Sequence, residues 1–375
     1  MKKLKVALVS PTHAHIHSSL QNALKTYEYL MKHKRVDVTI FTDSGNELSH
    51  KGFKVRKIQG VDYGTIWAKV LFVLGIPRFY YRNLDDDLAG FDVIRANNPE
   101  FYGYAYQAFK TAQKHNTRFV LQTSQTKEGF FLYSITKYII NPIVKKAYDY
   151  AYVCLFTNPE ARARALRLRL IDENKRTDCI GHATDISCFR PKRVRKNKVT
   201  VILSVGGLYK IKGHHLIMKA CKRLIDKGRK NLELWIVGEG YYRRNLEKQA
   251  KVLLIENKVK FLGAKGHAEL ASIYNHADIF VLANYQEITP AVNEALACEK
   301  PVVVMECGGR DFVLPSEDFG LISKPFDVED MAYKIQLLLD NPKRAKKMAK
   351  RGRAHIVSNF SIEKVAEKLY RAFTQ

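Results

Sequence analysis

The sequence predicts an α/β protein built from two parallel-sheet domains. Three observations predict it. The 375 residues exceed what one core ordinarily holds. Short apolar runs alternate with amphipathic helical stretches in both halves, the rhythm of strand–helix–strand units. Between the halves lies Pro191-Lys192-Arg193-Val194-Arg195-Lys196-Asn197-Lys198, a basic, non-periodic piece that reads as an interdomain linker.

In the first half, Lys5 to Ser10 reads as a buried strand. A helix follows with Leu20, Leu24, Tyr27 and Met31 on one face of a 3.6-residue period. Val36 to Phe41, Asp92 to Arg95, Arg118 to Leu121, Tyr152 to Phe156 and Arg176 to Ile180 are further strands, with a helix through Tyr106 and Phe109. In the second half, Val199 to Val205 is a strand, followed by a helix with Leu216, Ala220 and Leu224 that Gly228 stops. Leu232 to Val237 is apolar on both faces, as a sheet covered by helices requires. Val259 to Leu262, Asp278 to Leu282 and Pro301 to Met305 complete the series. Ligands of such sheets gather at the carboxyl ends of the strands.

Composition narrows the class. With 46% hydrophobic and 27% charged residues the chain is globular rather than disordered. No apolar run is long enough to span a bilayer, and the basic start Met1 to Lys5 precedes too short an apolar stretch for a signal peptide. The six cysteines form no CxxC pair, which argues for reduced thiols in a cytoplasmic setting. Net charge is +26; residues 1–190 carry 29 Lys/Arg against 17 Asp/Glu, or +12, leaving +14 for the remainder. Such a surface favours anionic partners: nucleic acid, lipid headgroups or phosphorylated small molecules.

Two segments carry chemistry. After the strand ending at Leu282 comes Gln286-Glu287-Ile288-Thr289-Pro290-Ala291, then Glu294. Thr289 suits an N-cap and Pro290 a first helical residue, and the open N–H groups of that helix start attract a phosphate. Glu294, about one turn further in, is able to accept hydrogen bonds from sugar hydroxyls. Taken alone, an ordinary helix with exposed acids is the preferred reading. The second segment, Val205-Gly206-Gly207-Leu208-Tyr209-Lys210-Ile211-Lys212-Gly213, is a glycine turn after a strand, a lysine and a helix start. Glycines let backbone approach an anion, and Lys212 adds a mobile positive charge; the plain alternative is a tight turn with a solvated lysine.

With these residues the second half resembles the donor-binding domain of family 4 of the retaining GT-B glycosyltransferases (glycosyl transferases group 1). The resemblance is carried by Gly206, Lys212-Gly213, Ile236-Val237-Gly238-Glu239-Gly240, Phe261-Leu262-Gly263, Ala277 to Val281, Glu294-Ala295-Leu296-Ala297-Cys298 with Pro301-Val302-Val303, and Gly308-Gly309. Gly181 to Pro191 is similar to the family's hinge, and Asn359-Phe360-Ser361 to the stretch before its closing helix. The resemblance implies two Rossmann-like domains facing each other across a cleft: an acceptor-binding domain over residues 1–190, a nucleotide-sugar-binding domain over 191–358, and a C-terminal helix over 359–375 with the option of crossing back to the first. It implies a retaining, metal-independent glycosyltransferase of hexosyl type, with a nucleoside-diphosphate sugar as co-substrate and no cofactor.

The roles implied are as follows. The diphosphate lies against the helix starts near Gly213 and at Thr289, Pro290 and Ala291, beside Lys212 and the turns at Gly206, Gly207 and Gly238. Glu294 binds the ribose, and Gly263 and Ala264 meet the base through backbone groups. The family's paired glutamates are eight residues apart, which sets Gln286 opposite Glu294 with Glu287 one residue late; either Gln286 or Glu287 holds a donor-sugar hydroxyl. Catalysis would thus rest on Glu287, Glu294 and Lys212. Gly207 stands where the family usually has an arginine, and Phe312-Val313, with Asp311 nearby, where it has a glutamate. In the first domain His13, His15 and His17 follow the first strand in place of a glycine pair, and Ser124 stands near the position of a family histidine; these four are acceptor or phosphate candidates. The expected acceptor is a glycan or a lipid-linked molecule, with an anionic membrane surface as a further partner and a peripheral position at its inner face.

Weaker signals have plainer readings. Asp85-Asp86-Asp87 contains the DxD pattern of metal-dependent glycosyltransferases but sits in a polar segment, so a solvated helix or turn is preferred. The alternating histidines lack an acid or thiol neighbour in sequence and read as hydrogen-bond donors rather than metal ligands. Gly238 to Arg243 approaches a dinucleotide fingerprint without its third glycine. Arg162, Arg164, Arg167 and Arg169 read as a solvated basic face, with anionic lipid as the sharper alternative. Ile66 to Tyr81 and Phe130 to Tyr152, apolar and basic together, read as core helices or as the lining for an amphiphilic acceptor. The rival function is a basic nucleic-acid or anionic-membrane binding protein on a catalytically altered GT-B scaffold. No nucleic-acid module appears and the charge is evenly divided, which speaks against nucleic acid. A glycosyl phosphorylase or nucleotide-sugar epimerase is a third reading.

Overall fold

The computed structural model describes residues 3–9, 18–43, 52–58, 60–61, 80–98, 103–124, 133–194 and 198–375. The chain divides into two units, Met1–Gly181 with Glu363–Gln375, and His182–Ile362.

The first unit contains β1 (Leu4–Val9), α1 (Ser18–His33), β2 (Val36–Asp43), β3 (Lys54–Ile58), β4 (Gly60–Val61), β5 (Tyr80–Tyr81), α2 (Leu84–Leu88), β6 (Val93–Asn97), α3 (Gly103–Lys114), β7 (Arg118–Thr123), α4 (Tyr133–Tyr150), β8 (Val153–Phe156), α5 (Pro159–Arg167) and β9 (Thr177–Cys179). Its seven-stranded sheet runs β3-β2-β1-β6-β7-β8-β9, all parallel. Strands such as β8 are buried along their whole length, because helices cover both faces of a parallel sheet. The helices start where side-chain chemistry allows it: Asn158 accepts from the Ala161 amide at 2.9 Å, with Pro159 in the first helical turn of α5.

The second unit contains β10 (Thr200–Val205), a 3-10 turn (Lys210–Lys212), α6 (His214–Asp226), β11 (Leu232–Val237), α7 (Arg243–Val252), a second 3-10 turn (Glu256–Lys258), β12 (Val259–Phe261), α8 (His267–His276), β13 (Ile279–Leu282), α9 (Pro290–Ala297), β14 (Val302–Met305), α10 (Arg310–Val313), β15 (Leu321–Ser323), α11 (Val328–Asp340) and α12 (Pro342–Phe360). Its parallel sheet runs β12-β11-β10-β13-β14-β15. That is the doubly wound order, with its switch between the adjacent strands β10 and β13; ligands of such sheets bind beyond the carboxyl ends at this point.

The hinge residues pack with the second unit, so its start lies at His182 rather than after Arg190. Phe189 is fully buried there, and Asn275 on α8 accepts from the Lys192 amide at 2.7 Å and donates to the Arg190 carbonyl at 3.1 Å. The front of the expected linker is therefore tied down, while residues 195–197 fall outside the described set. The last helix, α13 (Ile362–Thr374), packs into the first unit from Glu363 onward. There Arg118 donates to the Phe373 carbonyl at 2.6 Å and Lys368 to the Cys179 carbonyl at 3.0 Å.

Other expectations resolve locally. Asp85 to Asp87 form the middle of α2, and Asp85 pairs with Lys114 on α3, an ordinary surface ion pair. The arginines of α5 are not an evenly solvated face, because Arg164 is only 1% exposed. Arg162 instead bonds Thr177 at 2.9 Å and Glu173 at 3.2 Å. All six cysteines are free. Of the two apolar, basic stretches, residues 66–79 and 130–132 lie outside the described set; Tyr80 and Tyr81 form the strand β5 rather than a helix, and α4 takes up 133–150.

Candidate functional site

At the carboxyl end of β10 the chain turns at Gly206-Gly207, and the turn is stitched to its neighbours by backbone. The Gly206 amide donates to the Val237 carbonyl, that of Leu208 to Glu239, and that of Gly238 to Gly263, each at 2.9 Å. Glycine is required where these loops touch: a Cβ on Gly238, at φ +141°, would lie 2.0 Å from the Gly206 carbonyl oxygen. Gly213 is held harder still, at φ +70° with the Ala283 carbonyl oxygen 2.1 Å from any added Cβ. This contact seats the start of α6 directly against the end of β13.

Lys212 closes the 3-10 turn just before that glycine. Burial pulls its ammonium below the usual lysine range, and the nearby Glu287 carboxylate, with the Cys307 thiol, opposes the shift. The next residue after Gly213 escaped the sequence reading. His214 is 2% exposed, its Nδ1 lies 3.0 Å from Ser204 Oγ, and its ring stands against the Gly206-Gly207 backbone. Burial drives its pKa down to about 4, so a neutral imidazole backs the turn. Its only sequence signal is its position at a helix start after glycine.

Beyond β13, Asn284 organises the second loop. This buried side chain donates to the Glu287 carbonyl at 2.7 Å and accepts from the Gln286 amide at 3.3 Å. Gly308, after β14, clips the same loop: Ile288 donates to its carbonyl at 2.9 Å and it donates to Gln286 at 3.0 Å. Gln286 is left exposed, whereas Glu287 is half-buried and shares its electrostatic environment with Lys212. Thr289 and Pro290 occupy the cap and first position of α9 as expected, followed by Ala291. Thr289 makes no side-chain cap bond, and its Oγ1 has no hydrogen-bond partner among the described residues.

Glu294 is fully buried, and its Oε2 accepts from the Tyr274 hydroxyl at 3.0 Å. Burial first, then this carboxylate, pushes the Tyr274 phenol well above its usual range, so the phenol stays a donor. At the end of β12, Gly263 takes a left-handed φ of 72° and Ala264 is exposed. In the first unit Ser124 follows β7, its amide donating to Asn98 Oδ1 at 3.0 Å. His13, His15 and His17 lie outside the described residues.

The structure thus brings Lys212, Glu287 and the loops of Gly206, Gly213, Gly238 and Gly308 to the switch point of one sheet. This arrangement, a lysine and two helix starts beside a glycine-lined turn, suits a diphosphate. Residues 185–355 match the family Glycosyl transferases group 1. The span is a little under half of the chain and contains Lys212, Glu287 and the glycine loops of the second unit. Among curated proteins, the chain is similar to an uncharacterized glycosyltransferase of Haemophilus influenzae, 29% identical over 53% of this chain and 56% of that one. It is also similar to N,N'-diacetylbacillosaminyl-diphospho-undecaprenol alpha-1,3-N-acetylgalactosaminyltransferase of Campylobacter jejuni, 26% identical over 59% of this chain and 60% of that one. The matches therefore span somewhat over half the length of these two relatives.

Solved structures extend the likeness to the whole chain. A glycosyltransferase of Rickettsia africae superposes with a TM-score of 0.80 at 16% identity, covering 100% of this chain and 98% of that one. Anabaena HepE, solved with UDP, gives 0.80 at 14% identity over 99% and 100%. At such identities the likeness shows the fold: two Rossmann-like α/β domains of the GT-B class.

Proposed function

We propose that this chain is a retaining glycosyltransferase that moves a hexose-type sugar from a nucleoside diphosphate to a glycan or lipid-linked acceptor. The observation that carries the reading is the placement of Lys212 beside Glu287 at the β10/β13 switch point. Breaking the bond between the anomeric carbon and the diphosphate leaves negative charge on the leaving group. Fixed donors aimed at that charge stabilise the transition state without reorganising. Lys212 and the amides at the start of α9 supply such donors, which is why we assign no metal and no cofactor to the step.

Glu287, rather than the exposed Gln286, is assigned the donor-sugar hydroxyl. Glu294 is assigned the ribose. Gly263 and Ala264 are assigned the base, and Ser124 with His13, His15 and His17 the acceptor side. Support for a nucleoside diphosphate comes from the UDP held by Anabaena HepE. A lipid-linked acceptor is supported by the diphospho-undecaprenol substrate in the Campylobacter relative's name.

A peripheral position at an anionic, cytoplasm-facing membrane belongs to the same proposal. Among the described residues, no helix is long and apolar enough to cross a membrane. Helix α12 instead exposes Lys343, Lys346, Lys347 and Lys350 opposite its buried stripe of Ala345, Met348, Ala349 and Ile356. A basic face of this kind is attracted to anionic lipid. If the basic surface were the whole function, salt-sensitive binding to nucleic acid or vesicles would occur without affinity for any nucleotide sugar.

A thermal-shift screen of UDP-, GDP- and ADP-sugars tests the enzyme reading, since a ligand of the native state raises the melting temperature. Stabilisation by one donor class, lost in Lys212→Ala, is expected. No shift with any of the three would overturn it.

A further inference from the structure

We propose that Asp185, Cys188 and His267 form a metal-binding site in the second unit, matched by its donors to Zn²⁺. One ligand atom from each residue lies within 4.8 Å of the other two. None of the three has a part in the sugar-transfer proposal. Cys188 and His267 are 79 positions apart, so no sequence motif announces the site.

The local chain prearranges all three. Asp185 Oδ1 accepts from the Ser187 and Cys188 amides, both at 3.0 Å, and from Ser187 Oγ at 2.5 Å. The Phe189 amide closes the same turn onto the Asp185 carbonyl at 2.8 Å. Carboxylate and thiol are thus presented from one fixed turn. His267 is the first residue of α8, and its ring meets that of the fully buried Phe189 edge-on at 5.1 Å. The Cys188 sulfur in turn lies 3.7 Å from the His267 carbonyl. Phe189 therefore fixes the imidazole as well as the turn. Such supporting contacts around a ligand set hold it in orientation.

The donor chemistry selects the ion. Calcium and magnesium take oxygen ligands, whereas thiolate, imidazole and carboxylate together suit Zn²⁺. Bonds of about 2.0–2.3 Å need the three atoms to draw together by roughly an ångström, within reach of side-chain rotation. Three protein ligands leave a fourth tetrahedral position for water. Binding displaces the Cys188 thiol proton, so affinity falls as the solution is acidified.

Co²⁺ titration of the chelator-treated full chain tests the proposal. One equivalent is expected to produce a thiolate-to-cobalt charge-transfer band and tetrahedral visible bands, both removed by added Zn²⁺. Cys188→Ala should abolish the charge-transfer band, and His267→Gln should weaken Co²⁺ binding at least tenfold. Far-ultraviolet circular dichroism of both variants reports that they are folded. The proposal is overturned if folded wild-type chain shows no charge-transfer band at millimolar Co²⁺. It is equally overturned if both variants bind as wild type does, since the ion would then sit elsewhere, for example on His13, His15 and His17.

Discussion

Tyr274 on α8 donates its hydroxyl to Glu294 Oε2 on α9 at 3.0 Å, with both side chains out of contact with solvent. A buried carboxylate that loses a donor keeps its desolvation cost with one bond fewer to offset it. Tyr274→Phe should therefore destabilise the chain by about 1.5–3 kcal/mol, the range for a hydrogen bond to a charged group. In a unit of this size that corresponds to a fall of roughly 3–12 °C in melting temperature. Calorimetry decides it; an unchanged melting temperature would mean that water or another group takes over the bond.

Lys212→Ala should weaken nucleoside-diphosphate binding about ten- to a hundredfold, the loss of one charge-assisted contact. A pH dependence comes with it. Burial holds the ammonium below the usual lysine range, and a bound diphosphate favours the charged form. Affinity should then be full at neutral pH and decline as alkaline pH removes the proton from the ligand-free site. Titration calorimetry across this range would show the decline in wild type and none in Lys212→Ala.

The two neighbouring candidates for the donor-sugar contact separate cleanly. Glu287→Gln removes a carboxylate that sustains the Lys212 charge, so kcat/KM should fall at least tenfold. Gln286→Ala removes an exposed side chain and should stay within about threefold of wild type. The reverse ranking would give the role to Gln286.

Acid stability is set in part by His214. Burial holds its folded pKa at about 4, below the 6.5 of an unburied imidazole. Protons therefore bind the unfolded chain first as pH drops below 6.5, and stability falls until about pH 4. The full loss from this side chain approaches about 3 kcal/mol. His182 shifts the same way, to about 4, also through burial. Denaturant titrations at pH 7 and pH 4.5 should show the loss, and His214→Gln should reduce it. An equal loss in that variant would place the titrating groups elsewhere.

What the sequence disclosed and what it hid follow from the range of the forces involved. Parallel strands buried on both faces appear as unbroken apolar runs, so Thr200–Val205 and Ile279–Leu282 were legible. So were Pro290 behind Thr289 and the glycine turns, because their demands are local. The unit boundary was not, since it depends on Phe189 stacking edge-on with Tyr274, 5.9 Å away in space and remote in sequence. The burial of Arg164 and His214 was hidden for the same reason: a polar residue's surroundings are written in other segments. Gln286 and Glu287 are adjacent and similar, and only the folded loop leaves the first exposed and the second half-buried, within electrostatic reach of Lys212.

Thr184 and Ser361 pair in a short parallel bridge, with the Thr184 amide bonded to the Phe360 carbonyl at 2.8 Å and the Ile362 amide to the Thr184 carbonyl at 3.2 Å. Entry into the second unit and departure from it are thereby fastened side by side. The segment 182–362 is thus closed at its own base, its first and last strands of backbone holding each other in place.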